Sequence, residues 1–129
     1  MKTPILSLAV AGLFVVAGCS TPQEMSKAQG HGAKRVYEVD YDTMYDASHA
    51  AAMMDEFDVV ASDHATGYIC SHRNMSSASF GENIGIWVHK VGPLKTEVEV
   101  VSRANGPLLN TAHQREDKVL DRIAMLLSY

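Results

Sequence analysis

The residues of this chain that could do chemistry are six histidines and two cysteines. The cysteines are Cys19 and Cys70, and His72 follows Cys70 by two positions. Histidine and cysteine are zinc ligands, and a cysteine activated by a histidine is a nucleophile. The full set of histidines is His31, His49, His64, His72, His89 and His113. Two hypotheses follow: a metal site and a Cys70–His72 catalytic pair.

The spacing of the histidines argues against the metal site. No two of them stand at i, i+2 or i, i+4, the separations that place two ligands on one face of a strand or helix. His64 and His72 flank a predicted hairpin and could face each other across it, whereas alternation puts His89 on the solvent side of its strand. No acidic or amide residue is implied that would orient a Cys70–His72 pair. We therefore predict no catalytic residue, no metal and no cofactor, and keep metal or small-ligand binding through the histidines and Cys70 as the alternative.

Charge and motifs exclude further classes of function. The chain has 15 acidic and 11 basic residues and a formal net charge of -4. Nucleic acid is not the expected partner, because phosphate binding needs a basic surface. Nucleophile-elbow, P-loop, dinucleotide-binding, HExxH, CxxC and calcium-loop patterns are absent from the sequence. We predict that the protein is not an enzyme.

The start of the chain has the pattern of an export signal. Met1 and Lys2 give a positive start, and residues 4–17 then carry no charge. A membrane-spanning helix needs about 20 apolar residues, so this run matches the shorter apolar centre of a secretory signal peptide. Residues 1–18 are predicted to be that signal.

Residues 16–19, with the sequence VAGC, resemble the lipobox of bacterial lipoproteins. The resemblance implies that the Cys19 sulfur receives a diacylglycerol, that cleavage falls before Cys19, and that the new amino group is acylated with palmitate. Two or three acyl chains on one residue make release from a membrane very slow. Ser20 stands where an aspartate commonly signals inner-membrane retention, so the resemblance favours the outer membrane, facing the periplasm. Cys70 is then a lone thiol: a small side chain shielded in the sheet, or else a reactive thiol or a partner in an intermolecular disulfide.

Hydrophobic patterning divides the rest of the chain into two parts. Residues 20–33 have almost no large apolar side chain, so residues 19–33 are predicted to be a lipidated cysteine and a flexible tether. Residues 34–129 are predicted to be a single α+β domain. Strands are predicted at residues 35–40, 57–63, 68–74, 83–91 and 96–102, and helices at residues 43–56 and 111–127.

The order of these elements, βαββββα, predicts a two-layer sandwich. Two amphipathic helices can cover one face of a mostly antiparallel sheet of four to five strands. Asp42 or Thr43 is the predicted N-cap of the first helix. The order and landmarks resemble a group of small, uncharacterised proteobacterial lipoproteins with one compact α+β domain. The likeness rests on the lipobox, residues 41–52, 63–69 and 96–98 and the closing helix, and covers residues 36–127.

Alternation along the strands assigns side chains to the two faces of the sheet. Trp87 falls on the side away from the core, where with Phe80 from a serine-rich loop it forms a candidate interaction surface. The alternative is that this face of the sheet is partly covered. Glu97 and Glu99 are interpreted as a solvated strand face. The expected function is that of a membrane-anchored envelope lipoprotein with a structural or protein-interaction role, its partners being the membrane, through Cys19, and another envelope protein.

Overall fold

Two layers make up the fold: a five-stranded antiparallel sheet and two helices packed on one of its faces. The computed structural model describes residues 22–74, 81–104 and 112–128. The predicted α+β two-layer sandwich is confirmed, with the order βαββββα after a short N-terminal helix. The elements are α1 (Pro22–Met25), a 3-10 turn (Ser26–Ala28), β1 (Ala33–Tyr37), α2 (Tyr41–Ala52), β2 (Asp58–Asp63), β3 (Tyr68–Arg73), β4 (Glu82–Gly92), β5 (Lys95–Ala104) and α3 (Ala112–Leu127).

The strands lie in the order β1-β5-β4-β3-β2, and every neighbouring pair is antiparallel. The hairpin predicted around His64 and His72 is therefore present as β2–β3, and β4 and β5 form a second hairpin. Gly67, in the first hairpin turn, has a φ of +79°, in the left-handed region that favours glycine. β1 and β2 are left as the two edges of the sheet.

The main core lies between the sheet and helices α2 and α3. Met44 on α2 and Leu120 and Ile123 on α3 have no exposed surface. Burying a side chain of this size contributes about 1.5–3 kcal/mol to stability. The strands supply the other half of the core with Ile69, Ile84, Ile86, Val88, Val98 and Val100.

Helix α2 begins earlier than the sequence predicted. Its N-cap is Asp40 rather than Asp42 or Thr43. The Thr43 backbone N–H (3.2 Å) and hydroxyl (2.6 Å) both donate to the Asp40 carboxylate. These bonds, the hydroxyl one foremost, lower the pKa of Asp40. Asp40 is the N-cap because it keeps an extended backbone and its side chain accepts a hydrogen bond from an N–H of the first turn.

The structure also differs from the predicted flexible tether. Residues 22–32, called the N-terminal segment below, fold back onto the face of the sheet opposite α2 and α3, called the second face. Met25 is only 1% exposed and Ala28 8%. A second buried cluster forms there from Met25, Ala28, Cys70, Trp87 and Val101. None of the helices in the described ranges is long and apolar enough to cross a membrane.

Candidate functional site

The second face of the sheet holds the residues that the sequence singled out. Cys70 pairs with Gly85, and Tyr68 with Trp87, across β3 and β4. Because side chains alternate along a strand, all four residues belong to this face, opposite Ile69 and Ile86. The predicted side of Cys70 and Trp87 is therefore observed.

The Trp87 indole ring lies over Gly85 within this face. A Cβ placed on Gly85 would lie 2.6 Å from the Trp87 Cη2 atom and 3.2 Å from the Met25 Cε atom. Gly85 thus leaves the space that the indole ring and Met25 occupy. The Tyr68 ring lies beside the indole, with 5.3 Å between ring centroids.

The N-terminal segment covers Trp87, so this residue is not the exposed surface that the sequence suggested. Only 7% of its surface is accessible. The physical reason is that an apolar second face is more stable covered than hydrated, and Met25 and Ala28 supply the cover. Phe80 and Cys19 lie outside the described residues.

Glu99 corrects the prediction of a solvated strand face. This residue of β5 is only 3% exposed, although Glu97 on the same side of the strand is partly exposed. Its carboxylate accepts the Gly30 N–H, at 2.9 and 2.8 Å to its two oxygens, and the Gly32 N–H at 2.9 Å. Hydrogen bonds to an ionised carboxylate are about twice as strong as neutral ones. Glu99 therefore fixes the end of the N-terminal segment to the sheet.

Glycine at position 32 is what allows this close approach. A Cβ there would lie 2.1 Å from the Val100 carbonyl oxygen, a distance that no side chain tolerates. Gly30 has a φ of +95°, in the left-handed region that favours glycine. The two glycines thus let the backbone turn under Glu99 before β1 begins.

Cys70 is a free thiol with no exposed surface. Burial raises its pKa, and although a hydrogen bond with the Tyr68 hydroxyl acts in the opposite direction, burial dominates. Burial also raises the pKa of Tyr68. A protonated, buried thiol is a poor nucleophile.

His72 is engaged elsewhere, so the Cys70–His72 pair is not formed. The His72 Nδ1 atom lies 2.7 Å from the Asn83 Oδ1 atom, and Nε2 lies 3.1 Å from the Asn74 Oδ1 atom. Because both ring nitrogens of His72 contact amide oxygens, neither nitrogen contacts the Cys70 thiol. The small side chain shielded in the sheet is the interpretation of Cys70 that this geometry supports.

His64 and His72 do not face each other across the hairpin. His72 pairs with Asp58 at the far end of β2, while His64 lies in the turn after it. The His64 Nε2 atom is 2.7 Å from the Asp42 Oδ1 atom, and the His64 ring packs edge-on against Tyr45 at 4.8 Å between centroids. Among the described residues, no group of three or more histidine, cysteine or acidic side chains is placed to hold a metal ion.

A second charged site, which sequence reasoning missed, lies where the loop after α2 meets α3. We call it the arginine cluster. It surrounds the buried ring of Phe57, with the Arg73 and Arg115 guanidinium carbons 5.0 and 5.5 Å from the ring centroid. Its charged members are Asp55, Arg73, Glu82, Arg115, Lys118 and Arg122.

Two carboxylates hold the arginine cluster together. Arg122 binds Asp55 through both terminal nitrogens, at 2.6 and 2.8 Å. Arg115 bridges the two carboxylates, with contacts of 3.2 Å to Asp55 and 3.1 Å to Glu82. Glu82 also pairs with Arg73. The cluster therefore joins the α2–β2 loop, the β3–β4 strand ends and α3.

The backbone conformation and the charge of Asp55 fit its role in holding the arginine cluster together. Asp55 and Glu56 both have positive φ, 59° and 67°, so the chain turns sharply between α2 and Phe57. The hydrogen bond from Arg122 is the largest cause of a lowered pKa at Asp55. The sequence indicates only the part of the arginine cluster that lies on α3. Arg115 and Arg122 stand seven residues apart and therefore share a face of that helix.

Comparisons with known proteins give little information about function. No protein family matches this chain, and no curated protein matches it. Among solved structures, the crystal structure of Ara h 8.0201 is similar, with a TM-score of 0.48 and 12% sequence identity. The similarity covers 75% of this chain and 96% of that chain. Nothing about function follows from a similarity at this level.

Proposed function

We propose that this protein is a lipid-anchored protein of the bacterial cell envelope with a non-enzymatic, structural or protein-interaction role. The observation that carries the proposal is the short distance along the chain between the lipobox and the fold. Cys19 ends the lipobox, and α1 begins three positions later at Pro22. A signal-like apolar run, a lipobox and a folded domain thus follow one another directly.

The burial of Cys70 supports this assignment of the two cysteines. Exported proteins meet an oxidising compartment, where an exposed lone thiol forms disulfides. Cys70 has no exposed surface and a raised pKa, so it is protected from that reaction. Cys19 is then the cysteine available for modification.

The engagement of His72 supports a non-enzymatic role. The strongest nucleophile candidate in the sequence, Cys70, bonds with Tyr68, and its candidate base bonds with two asparagines. Both groups have structural partners. A structural or protein-interaction role in the envelope requires neither of them to react.

Labelling with palmitate tests the anchor. In cells that process lipoproteins, we expect Cys19→Ser to abolish labelling and to leave an unprocessed precursor, because a hydroxyl cannot form the thioether. Cys70→Ser is the matched control and should label normally. Normal labelling of the Cys19→Ser variant contradicts the proposal.

Membrane fractionation of the same cells tests the location. The protein should separate with the outer membrane, and Ser20→Asp should move it to the inner membrane without changing palmitate labelling. If Ser20→Asp leaves the distribution unchanged, the sorting rule does not apply to this protein. If the wild-type protein separates with the inner membrane, the outer-membrane assignment fails while the lipid anchor stands.

A further inference from the structure

The N-terminal segment decides how far the folded domain can stand from Cys19. It is docked on the second face through two separate contacts. The first is apolar: Met25, 1% exposed, packs among Cys70, Trp87 and Val101. This contact fixes α1, the part of the segment nearest Cys19.

The second contact is polar and lies at the other end of the segment. The Glu99 carboxylate accepts hydrogen bonds from the Gly30 and Gly32 N–H groups. A buried carboxylate requires such bonds, because removing it from water is unfavourable without them. Since Glu99 is 3% exposed, the docked segment and the buried carboxylate stabilise each other.

Docking shortens the chain that separates the domain from the anchor. Consecutive residues span at most about 3.6 Å each, whatever their conformation. If the whole stretch from Cys19 to Ala33 were free, its fourteen steps could reach about 50 Å. With the N-terminal segment docked, only three steps join Cys19 to Pro22, and they reach about 11 Å at most.

We propose that the docked N-terminal segment holds the domain directly against the lipid headgroup layer, instead of letting it move on a long tether. The surface that meets the bilayer is the part of the domain around the start of α1. This inference rests on the proposed function, because it requires lipid on Cys19. Glu99 and Met25 are the residues that maintain the docked state.

Trypsin release from vesicles tests the docked state. The full chain is expressed in a lipoprotein-processing host, and the mature lipidated protein is reconstituted in vesicles of phosphatidylethanolamine and phosphatidylglycerol. Cleavage at Lys27, an exposed residue inside the N-terminal segment, frees the domain into solution. Because proteolysis follows the population of the opened state, we expect Glu99→Ala to be released about tenfold faster than the wild type or more.

Glu97→Ala is the matched control for this measurement. It removes a carboxylate from the same strand, two positions away, and should be released at the wild-type rate. Met25→Ser tests the other contact from the segment side and should also accelerate release. Circular dichroism establishes that each variant keeps its helices, and Met25→Ser provides the test if Glu99→Ala does not fold.

Neutron reflectometry on a supported bilayer measures the distance itself. The wild-type domain should form a dense layer within about 11 Å of the headgroups. The double variant Met25→Ser/Glu99→Ala, which removes both contacts, should give a broader layer reaching several times farther, up to about 50 Å. A broad layer for the wild type, or equal release rates for Glu97→Ala and Glu99→Ala, overturns the inference. If the mature protein carries no lipid and does not bind the vesicles, the proposed function itself has failed.

Discussion

Two regions of the described structure shield carboxylates from water by different means. On the second face, Glu99 is satisfied by backbone N–H groups of Gly30 and Gly32. In the arginine cluster, Asp55 and Glu82 are satisfied by guanidinium groups. Backbone donors attach one continuous segment to the sheet, whereas long side chains connect elements that are far apart in sequence. Loss of the first contact therefore frees a segment, and loss of the second loosens the domain.

The largest effect on global stability is expected in the arginine cluster. Arg115→Met removes the side chain that bridges Asp55 and Glu82 while keeping most of its apolar stem. Because hydrogen bonds to charged groups contribute about 1.5–3 kcal/mol, we expect a loss of about 2–3 kcal/mol in the free energy of unfolding. Urea unfolding followed by circular dichroism measures it.

Lys118→Met is the matched control for Arg115→Met. Lys118 also contacts Asp55, at 3.7 Å, but its side chain is 56% exposed. Exposed pairs contribute about 0–1 kcal/mol, so this variant should unfold nearly as the wild type does. If both variants lower the free energy of unfolding equally, burial does not set the strength of the two ion pairs.

The two regions should also lose their contributions to stability at opposite ends of the pH scale. Asp55 has a pKa lowered from its ordinary value of 3.8, chiefly by the hydrogen bond from Arg122. Its contribution to stability is present above that value and is lost as the pH falls through the lower folded-state pKa. We expect Asp55→Asn to flatten the fall in unfolding free energy below about pH 4.

On the second face, the dependence of stability on pH has the opposite sign. Burial raises the pKa of Cys70 from 9.0 and that of Tyr68 from 10.0, so both groups stay protonated in the fold. The unfolded chain ionises first, and stability therefore falls as the pH rises above about 9. Cys70→Ala should weaken the alkaline fall and leave the acid fall unchanged. Urea titrations across the pH range check both variants, and an Asp55→Asn effect confined to alkaline pH would contradict the assignment.

The smallest effect is expected from an ion pair at the surface. The Arg35 Nη1 atom donates to the Asp121 Oδ1 atom at 2.8 Å, and the Asp121 side chain is 70% exposed. Asp121→Asn should change the free energy of unfolding by less than about 1 kcal/mol. The effect should disappear in high salt, which screens exposed charges. A loss as large as that of Arg115→Met would mean that distance alone sets the strength of these pairs.

Most of the fold follows from local patterns. Alternating side chains predicted β1, β4 and β5, because a half-buried strand repeats every two residues. The turn that ends at Gly67 predicted β2 and β3 as the two arms of a hairpin. The apolar stripe of α3 predicted its packing through Val119, Leu120 and Ile123, all of which are buried. The N-cap of α2 was misplaced because Asp40, Asp42 and Thr43 are all good capping residues, and only the backbone conformation decides among them.

The contacts of the two charged regions did not follow from the sequence. Alternation correctly puts Glu99 on the second face, but the donors it meets come from Gly30 and Gly32, 67 to 69 residues earlier. Backbone N–H groups carry no residue-specific signal. Asp55 likewise contacts Arg122 because the chain turns at two residues with positive φ values. The residue types around this turn do not predict it.

The edge strand β2 has a consequence for many copies of this protein together. The proposed lipid anchor would concentrate molecules in a plane, where an open strand of one copy would repeatedly meet that of another. The pairing of β2 with β3 shifts register between Val59 and Ala61, and β2 begins and ends with exposed aspartates, Asp58 and Asp63. A bulged, charged edge is a poor template for another strand. Copies crowded by such an anchor would thereby be kept from joining their sheets along β2.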